Sequence, residues 1–144
     1  MRSIKRLLVV VATIAAIAVL VPSASAASST AFHLDKTCTL DSSEPLGYFC
    51  TVQHSDFKWI PPATEVHYAA IPPNDPELLV AASIPIKNGS TNGVCVWSDP
   101  VNAVCTFSAG TGRLTQFHLV VVVTANADQS VWYWDGWYWF GARG

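Results

Sequence analysis

Basic residues are scarce in this 144-residue chain once its first six positions are set aside. The remainder carries ten Asp and Glu against five Lys and Arg, a net charge of about −5. Proteins that bind nucleic acids or anionic lipid surfaces do so through clustered Lys and Arg. No such cluster is visible, so the sequence predicts neither a nucleic acid nor an anionic membrane as a partner.

The apolar run near the N-terminus is too short to span a bilayer. It extends from Leu7 to Val21, 15 residues, and a spanning helix needs roughly 20. Three basic residues precede it, and Ala24-Ser25-Ala26 follows it as a small-residue cleavage site. The pattern predicts a Sec-type signal peptide at residues 1–26 and one secreted domain at residues 27–144, with no stable membrane insertion after cleavage. An uncleaved anchor is the alternative.

The C-x-x-C units of zinc sites are absent as well. The cysteines are Cys38, Cys50, Cys95 and Cys105, and no His lies at a ligand-like spacing from them. We therefore predict no metal, no cofactor and two disulfides, as is usual for four cysteines in an exported chain. Three pairings are possible. The local one, Cys38 with Cys50 and Cys95 with Cys105, is favoured because each pair brackets a turn-rich stretch, as in a bridged hairpin.

Helix signals are weak after the leader, because prolines interrupt the middle of the chain at short intervals. Strand-like runs recur instead, separated by turn residues such as those of Lys87–Ser90 and Asn92-Gly93. About eight strands predict a small all-β domain, closed or nearly closed as an antiparallel β-barrel, with an immunoglobulin-like β-sandwich as the alternative. The predicted strands are Thr37–Leu40, Tyr48–Gln53, Glu65–Ala70, Leu78–Pro85, Val94–Trp97, Val104–Phe107, Leu114–Thr124 and Val131–Phe140.

Alternation assigns the faces of the last two strands. The face of the first that contains Phe117, Leu119, Val121 and Val123 is wholly apolar, and we expect it to point into the core. Its other face is also apolar beyond His118, which predicts a strand covered on both sides there. In the final strand both faces are aromatic, and a one-sided core can use only one of them. Trp132, Trp134, Gly136, Tyr138 and Phe140 form the face expected to hold the core, and Val131, Tyr133, Asp135, Trp137 and Trp139 form the other.

Three features of the last third of the chain resemble a family of small secreted bacterial proteins of unknown function. They are the stretch from Cys105 to Leu114, the apolar strand that carries His118, and the Trp132–Phe140 block. More remotely, they resemble the barrel shared by allene oxide cyclases and dirigent proteins. The resemblance implies a barrel and, for the remoter relatives, a cofactor-free reaction in its cavity. Positions 137 and 139 are small and polar in the sequences resembled, whereas both are Trp here.

Signatures of several enzyme classes are missing. Gly110–Arg113 lacks the Lys-Ser/Thr of a P-loop and the third Gly of a dinucleotide fingerprint, and Ser108 does not lie in a nucleophile elbow.

His118 and Asp135 are the candidate catalytic residues, because pairing of the last two strands could make them a general-base pair. Glu65 and His67, on one strand face, are a second candidate. A hydrogen-bonded structural His and a solvated strand surface are the respective alternatives.

Tyr133, Trp137 and Trp139 are the candidate ligand-binding residues. Spaced by about 7 Å along a strand and facing away from the core, they would form an aromatic platform for a sugar or an apolar partner. The segment Lys58–Pro62 is a candidate cover for them. We expect a secreted, non-enzymatic binding protein for a glycan or a small apolar ligand, held on this strand or in the barrel mouth. The alternative is a cofactor-free cyclase- or dirigent-like enzyme that acts in the barrel cavity.

Overall fold

The computed structural model describes residues 28–71 and 79–141. These residues contain no α-helix and form eight strands in which each pairs antiparallel with the next, while the last pairs with the first. The all-β prediction is confirmed, and the architecture is the closed barrel rather than the sandwich. The predicted signal peptide lies outside the described residues. The elements are β1 (Thr30–Leu40), β2 (Tyr48–Ser55), β3 (Glu65–Ala70), β4 (Leu79–Ile86), β5 (Gly89–Asp99), β6 (Asn102–Gly110), a 3-10 helix (Gly112–Leu114), β7 (Phe117–Ala125) and β8 (Trp132–Phe140).

Only β3 has the predicted bounds; the other strands differ by one or more residues at their ends, and Leu114, predicted to begin the seventh strand, lies in the 3-10 helix. The largest differences are in β1 and β5. β1 begins at Thr30 rather than at Thr37, because its first half pairs with β8 and so closes the barrel. Asn92-Gly93 was expected to be a turn but lies inside β5, where the register to β6 shifts. A Cβ on this glycine would lie 2.5 Å from the ring of Phe107. The glycine therefore serves close packing against β6 and does not reverse the chain.

Inward-facing side chains fill most of the barrel. The predicted core face of β7 is buried, and Trp134 of β8 is the largest side chain that is fully buried. Because successive residues of a strand point to opposite faces, this arrangement leaves Tyr133, Asp135, Trp137 and Trp139 on the outer surface, as predicted.

One end of the barrel is closed by an aromatic cluster. The segment between β2 and β3 folds over this end and buries Phe57 and Ile60 there, and the ring of Phe57 stacks on that of Phe117 at 5.1 Å. Trp59 packs edge-on against Phe140 at 5.4 Å. Lys58–Pro62 therefore packs over the end of the barrel, whereas Trp137 of the outer face is 57% exposed, so the predicted cover is not formed over that indole.

The disulfides have the predicted local pairing, Cys38–Cys50 and Cys95–Cys105. Each joins two directly opposite residues of neighbouring strands. The half-cystines at 50, 95 and 105 are buried, so the bridges lie on the inner side of the barrel wall. Two such bridges indicate an oxidising, non-cytoplasmic setting.

Replacing both Cys95 and Cys105 with Ala is expected to lower the free energy of unfolding by about 3 kcal/mol. Their sequence separation is 10 residues, and freeing a loop of this size restores that much chain entropy to the unfolded state. Urea unfolding followed by tryptophan fluorescence measures the change. A loss below about 1 kcal/mol would contradict the expected contribution of the bridge.

Candidate functional site

As formed by residues 28–71 and 79–141, the end of the barrel opposite the aromatic cluster is open. Here β1, β3, β5 and β7 end and the strands that follow them begin, and a cavity of about 680 Å³ enters the barrel. We call this opening the mouth. Its lining is mainly apolar and aromatic, and includes Leu40, Leu46, Tyr48, Trp97, Trp132 and the Cys38–Cys50 bridge. Concave, largely apolar cavities of roughly 300–1,000 Å³ are typical ligand sites.

The cavity results from the side chains that the strands point inward near the mouth. Below it, Leu34 and Trp134 fill the barrel completely. At the mouth, the Cys38–Cys50 bridge supplies less bulk than a pair of core side chains would. On the other wall, the rings of Trp97 and Trp132 meet edge-to-face at 5.7 Å. The mouth therefore has a wall of packed aromatic rings beside its cavity.

A lysine amine lies at the inner end of this cavity. Lys36 of β1 is only 3% exposed although it carries an ionisable group. Its Nζ is 2.6 Å from Oη of Tyr68 and lies 5.1 Å and 5.0 Å from the ring centroids of Tyr68 and Trp134. No carboxylate in the described part of the chain comes within 4 Å of it.

The surroundings of Lys36 change its protonation. Burial lowers the pKa of its amine from 10.5 to about 7, because the ammonium loses its hydration and gains no carboxylate partner. The aromatic faces beside it favour the cation, but they only partly replace water. An appreciable fraction of the molecules therefore holds a neutral, nucleophilic amine at neutral pH.

Tyr68 of β3 keeps its proton under the same conditions. Burial raises its pKa well above 10, and the nearby Tyr48 phenol raises it further. The rings of these two tyrosines lie 5.4 Å apart. The site thus places a protonated phenol within hydrogen-bond distance of an amine that can lose its proton, and this is a combination suited to proton transfer.

Sequence reasoning missed Lys36 because the predicted first strand began one residue after it. A usable signal was present: Phe32, Leu34 and Lys36 alternate with more polar residues, and in the structure all three are buried on one face of β1. A lysine at an inward position of an alternating strand indicates a buried amine.

His118 and Asp135 are not brought together. They share the outer face, but His118 pairs with Trp139 and Asp135 pairs with Val122, four residues farther along β7. Four residues correspond to roughly 13 Å along a strand. Asp135 instead accepts a hydrogen bond from His33, with 2.6 Å between Oδ1 and Nδ1. The predicted general-base pair is therefore wrong, and neither residue lines the cavity.

The outer aromatic residues form only part of the predicted platform. Trp137 is 57% exposed, whereas Trp139 is 7% exposed and stacks in parallel on the ring of His118 at 5.1 Å. Only one of the two indoles is therefore open. Val122 on the neighbouring strand β7 is also about half exposed, so the cover predicted for the outer face of β7 beyond His118 is not formed at that position.

Glu65 and His67 do meet, and a third residue joins them. Nε2 of His67 is 3.2 Å from Glu65, and its Nδ1 is 3.0 Å from Glu44 in the loop between β1 and β2. The same loop carries Leu46, which lines the mouth. This cluster therefore ties the loop to β3 and helps to position one side of the cavity.

Possible metal sites, membrane-spanning helices and similarity to known proteins also bear on the class of site. Within residues 28–71 and 79–141, no group of three or more His, Cys, Asp or Glu side chains is placed to hold a metal ion. No helix in those ranges is long and apolar enough to cross a membrane. Searches of protein-family models, curated proteins and solved structures gave no significant match to this chain.

Proposed function

We propose that the protein is exported and binds one small, mainly apolar molecule in the mouth of its barrel. The observation that carries the proposal is the cavity of about 680 Å³, which has an aromatic wall and a single buried amine, that of Lys36, at its inner end. Barrels of about eight strands have room inside for side chains or for one small ligand. Here the described side chains leave that room at the mouth.

The lining suggests how such a ligand would lie. Trp97, Trp132 and Leu46 offer apolar surface near the opening, and Lys36 and Tyr68 offer polar atoms farther in. An apolar body with one polar group at its inner end would match both parts. Few polar groups placed in an apolar cavity are the usual means of orienting a ligand.

Two other functions are supported less well. A glycan site on the outer face would have one open indole, Trp137, because Trp139 is covered. A cyclase- or dirigent-like reaction that uses His118 and Asp135 lacks the necessary contact between them. The mouth is therefore the functional surface with the most support.

Titration with the apolar dye N-phenyl-1-naphthylamine tests the proposal. We expect dye fluorescence to rise with saturation at one site per chain. Trp132→Ala removes part of the mouth wall and is expected to weaken the affinity about tenfold, because a buried aromatic contact contributes on the order of 1–2 kcal/mol. Trp137→Ala is the matched control, because it lies on the same strand but faces outward, and it should leave the affinity unchanged.

A second titration, with the soluble oligosaccharide chitohexaose, addresses the outer face. The proposal expects no saturable change in tryptophan fluorescence. A response to the sugar that Trp137→Ala abolishes and Trp132→Ala does not would place the site on the outer surface. Equal dye affinity for both variants, with both folded by circular dichroism, would also contradict binding in the mouth.

A further inference from the structure

We propose that Lys36 forms a reversible imine with an aldehyde or ketone group of the molecule that enters the mouth. This inference rests on the proposed binding function and specifies the chemical class of the ligand. It starts from the position of Nζ, which lies at the inner end of an open apolar cavity and contacts a phenol and two aromatic faces.

The setting of Lys36 differs from that of a structural lysine. A buried lysine normally pairs with a carboxylate, since an isolated buried ammonium is costly. Among the described residues Lys36 has no such partner, and its hydrogen bond is to the neutral phenol of Tyr68. The low pKa that results from burial supplies the neutral amine that attack on a carbonyl requires.

The reaction needs only these two side chains and the ligand. The Nζ lone pair attacks the carbonyl carbon, the C=O π bond breaks, and one amine proton reaches the new oxygen by way of the Tyr68 hydroxyl, which gives a carbinolamine. The nitrogen lone pair then forms the C=N bond as the C–O bond breaks. The oxygen leaves as water with a proton from Tyr68, and the remaining N–H proton returns to the phenol. Amine and carbonyl thus become imine and water, with no oxidant or reductant.

A carbonyl suits this cavity better than a carboxylate does. Burial that disfavours the ammonium of Lys36 would equally disfavour an unhydrated carboxylate, whereas a neutral carbonyl enters without that cost. The product imine can also remain uncharged between the rings of Tyr68 and Trp134. The open mouth allows the released water to leave.

Reductive trapping with decanal and sodium cyanoborohydride at pH 7.5 tests the inference. We expect one adduct per chain whose added mass is that of decanal less one oxygen atom. Peptide mapping should locate it on Lys36, formed at least tenfold faster than on the solvated lysines Lys58 and Lys87 of the same molecule. Lys36→Met should lose this adduct. Tyr68→Phe should slow its formation at least tenfold, whereas Trp137→Ala, on the outer face, should leave both its rate of formation and the affinity for decanol, measured by displacement of the dye, within a factor of about three.

Displacement of the dye by decanol and by decanoate distinguishes failure of the imine proposal from failure of the proposed binding function. If decanol displaces the dye but decanal gives no preferential adduct on Lys36, the imine is overturned and binding in the mouth stands. If decanoate displaces the dye far more strongly than decanol does and no adduct forms, Lys36 is an anion-binding group and the imine is again overturned. If neither decanol nor decanal displaces the dye and no Lys36 adduct forms, both the imine and the proposed binding function fail. Unchanged adduct formation in Tyr68→Phe would remove the phenol from the reaction.

Discussion

The native protein is expected to gain stability between pH 7 and pH 10, and substitution of Lys36 by Met is expected to abolish this gain. In the folded protein the pKa of the Lys36 amine is about 7, against 10.5 for an ordinary lysine. Between these values the unfolded chain binds a proton that the folded chain does not. Stability therefore increases with pH, by about 1 kcal/mol or slightly more per pH unit, which amounts to about 3–4 kcal/mol between pH 7 and pH 10.

The increase of stability with pH ends at both sides of this pH range. Below pH 7 the amine is protonated in both states, so its slope vanishes and the full cost of burying the ammonium remains. Above pH 10 the tyrosines reverse the trend, because burial raises the pKa values of Tyr48 and Tyr68 and the folded state then holds more protons than the unfolded one. The stability of the native protein should therefore be greatest near pH 10.

Urea unfolding at pH 7, 8, 9 and 10 measures this slope. Lys36→Met should show little slope and should be a few kcal/mol more stable than the native protein at pH 7, because a thioether of similar size replaces a buried amine. Lys58→Met is the matched control, since Lys58 is exposed and its removal should preserve the slope. A native protein whose stability is flat or falls between pH 7 and pH 9 would mean that the amine is hydrated in solution.

Local pattern was enough to predict much of this fold. The strand periodicity and turns predicted eight strands, and the spacing of the cysteines favoured the two disulfides that the structure contains. Alternation divided β8 into its two faces, because successive residues point to opposite sides, but it did not decide which of the two aromatic faces points inward. These features depend on neighbours that are close in sequence.

Features that depend on distant residues were missed. The first half of β1 is a strand because β8, about a hundred residues later, pairs with it. Lys36 lies inside the barrel where β1 pairs with both β8 and β2. The Asn92-Gly93 dipeptide has the composition of a turn, but its glycine is required by the nearby ring of Phe107. The separation of His118 from Asp135 depends on the register of β7 against β8, which alternation does not determine.

The mouth is therefore a product of barrel closure rather than of any single motif. Lys36 and Tyr68 are 32 positions apart, and two strands bring them together. The strand β8 is the element that connects the parts of this arrangement: Trp132 forms part of the mouth wall, and Trp134 lies beneath the amine. A defect in the pairing of β8 should consequently affect the site and the fold together.

Gly136→Ala is expected to produce such a defect, lowering the free energy of unfolding by about 3 kcal/mol or more, as severe strain in a packed interior does. Gly136 lies in β8 between Phe32 of β1 and Val121 of β7. A Cβ there would be 1.9 Å from the carbonyl oxygen of Val120 and 2.8 Å from Cα of Val121. Both are backbone atoms, so they cannot turn aside as a side chain could, and relief requires the β7–β8 pairing to open.

Gly47→Ala is the comparison that isolates this effect. Gly47 has a φ of +77° but nothing within 4 Å of an added Cβ, so its substitution should cost only about 1 kcal/mol of conformational strain. Urea unfolding should rank Gly136→Ala well below Gly47→Ala in stability. Dye binding to the Gly136 variant should weaken even where the protein remains folded, because opening of β8 displaces Trp132 from the mouth wall. Similar stabilities for the two variants would instead mean that the β7–β8 pairing accommodates an added methyl group. Closure of the barrel at β8 would then not determine the shape of the mouth.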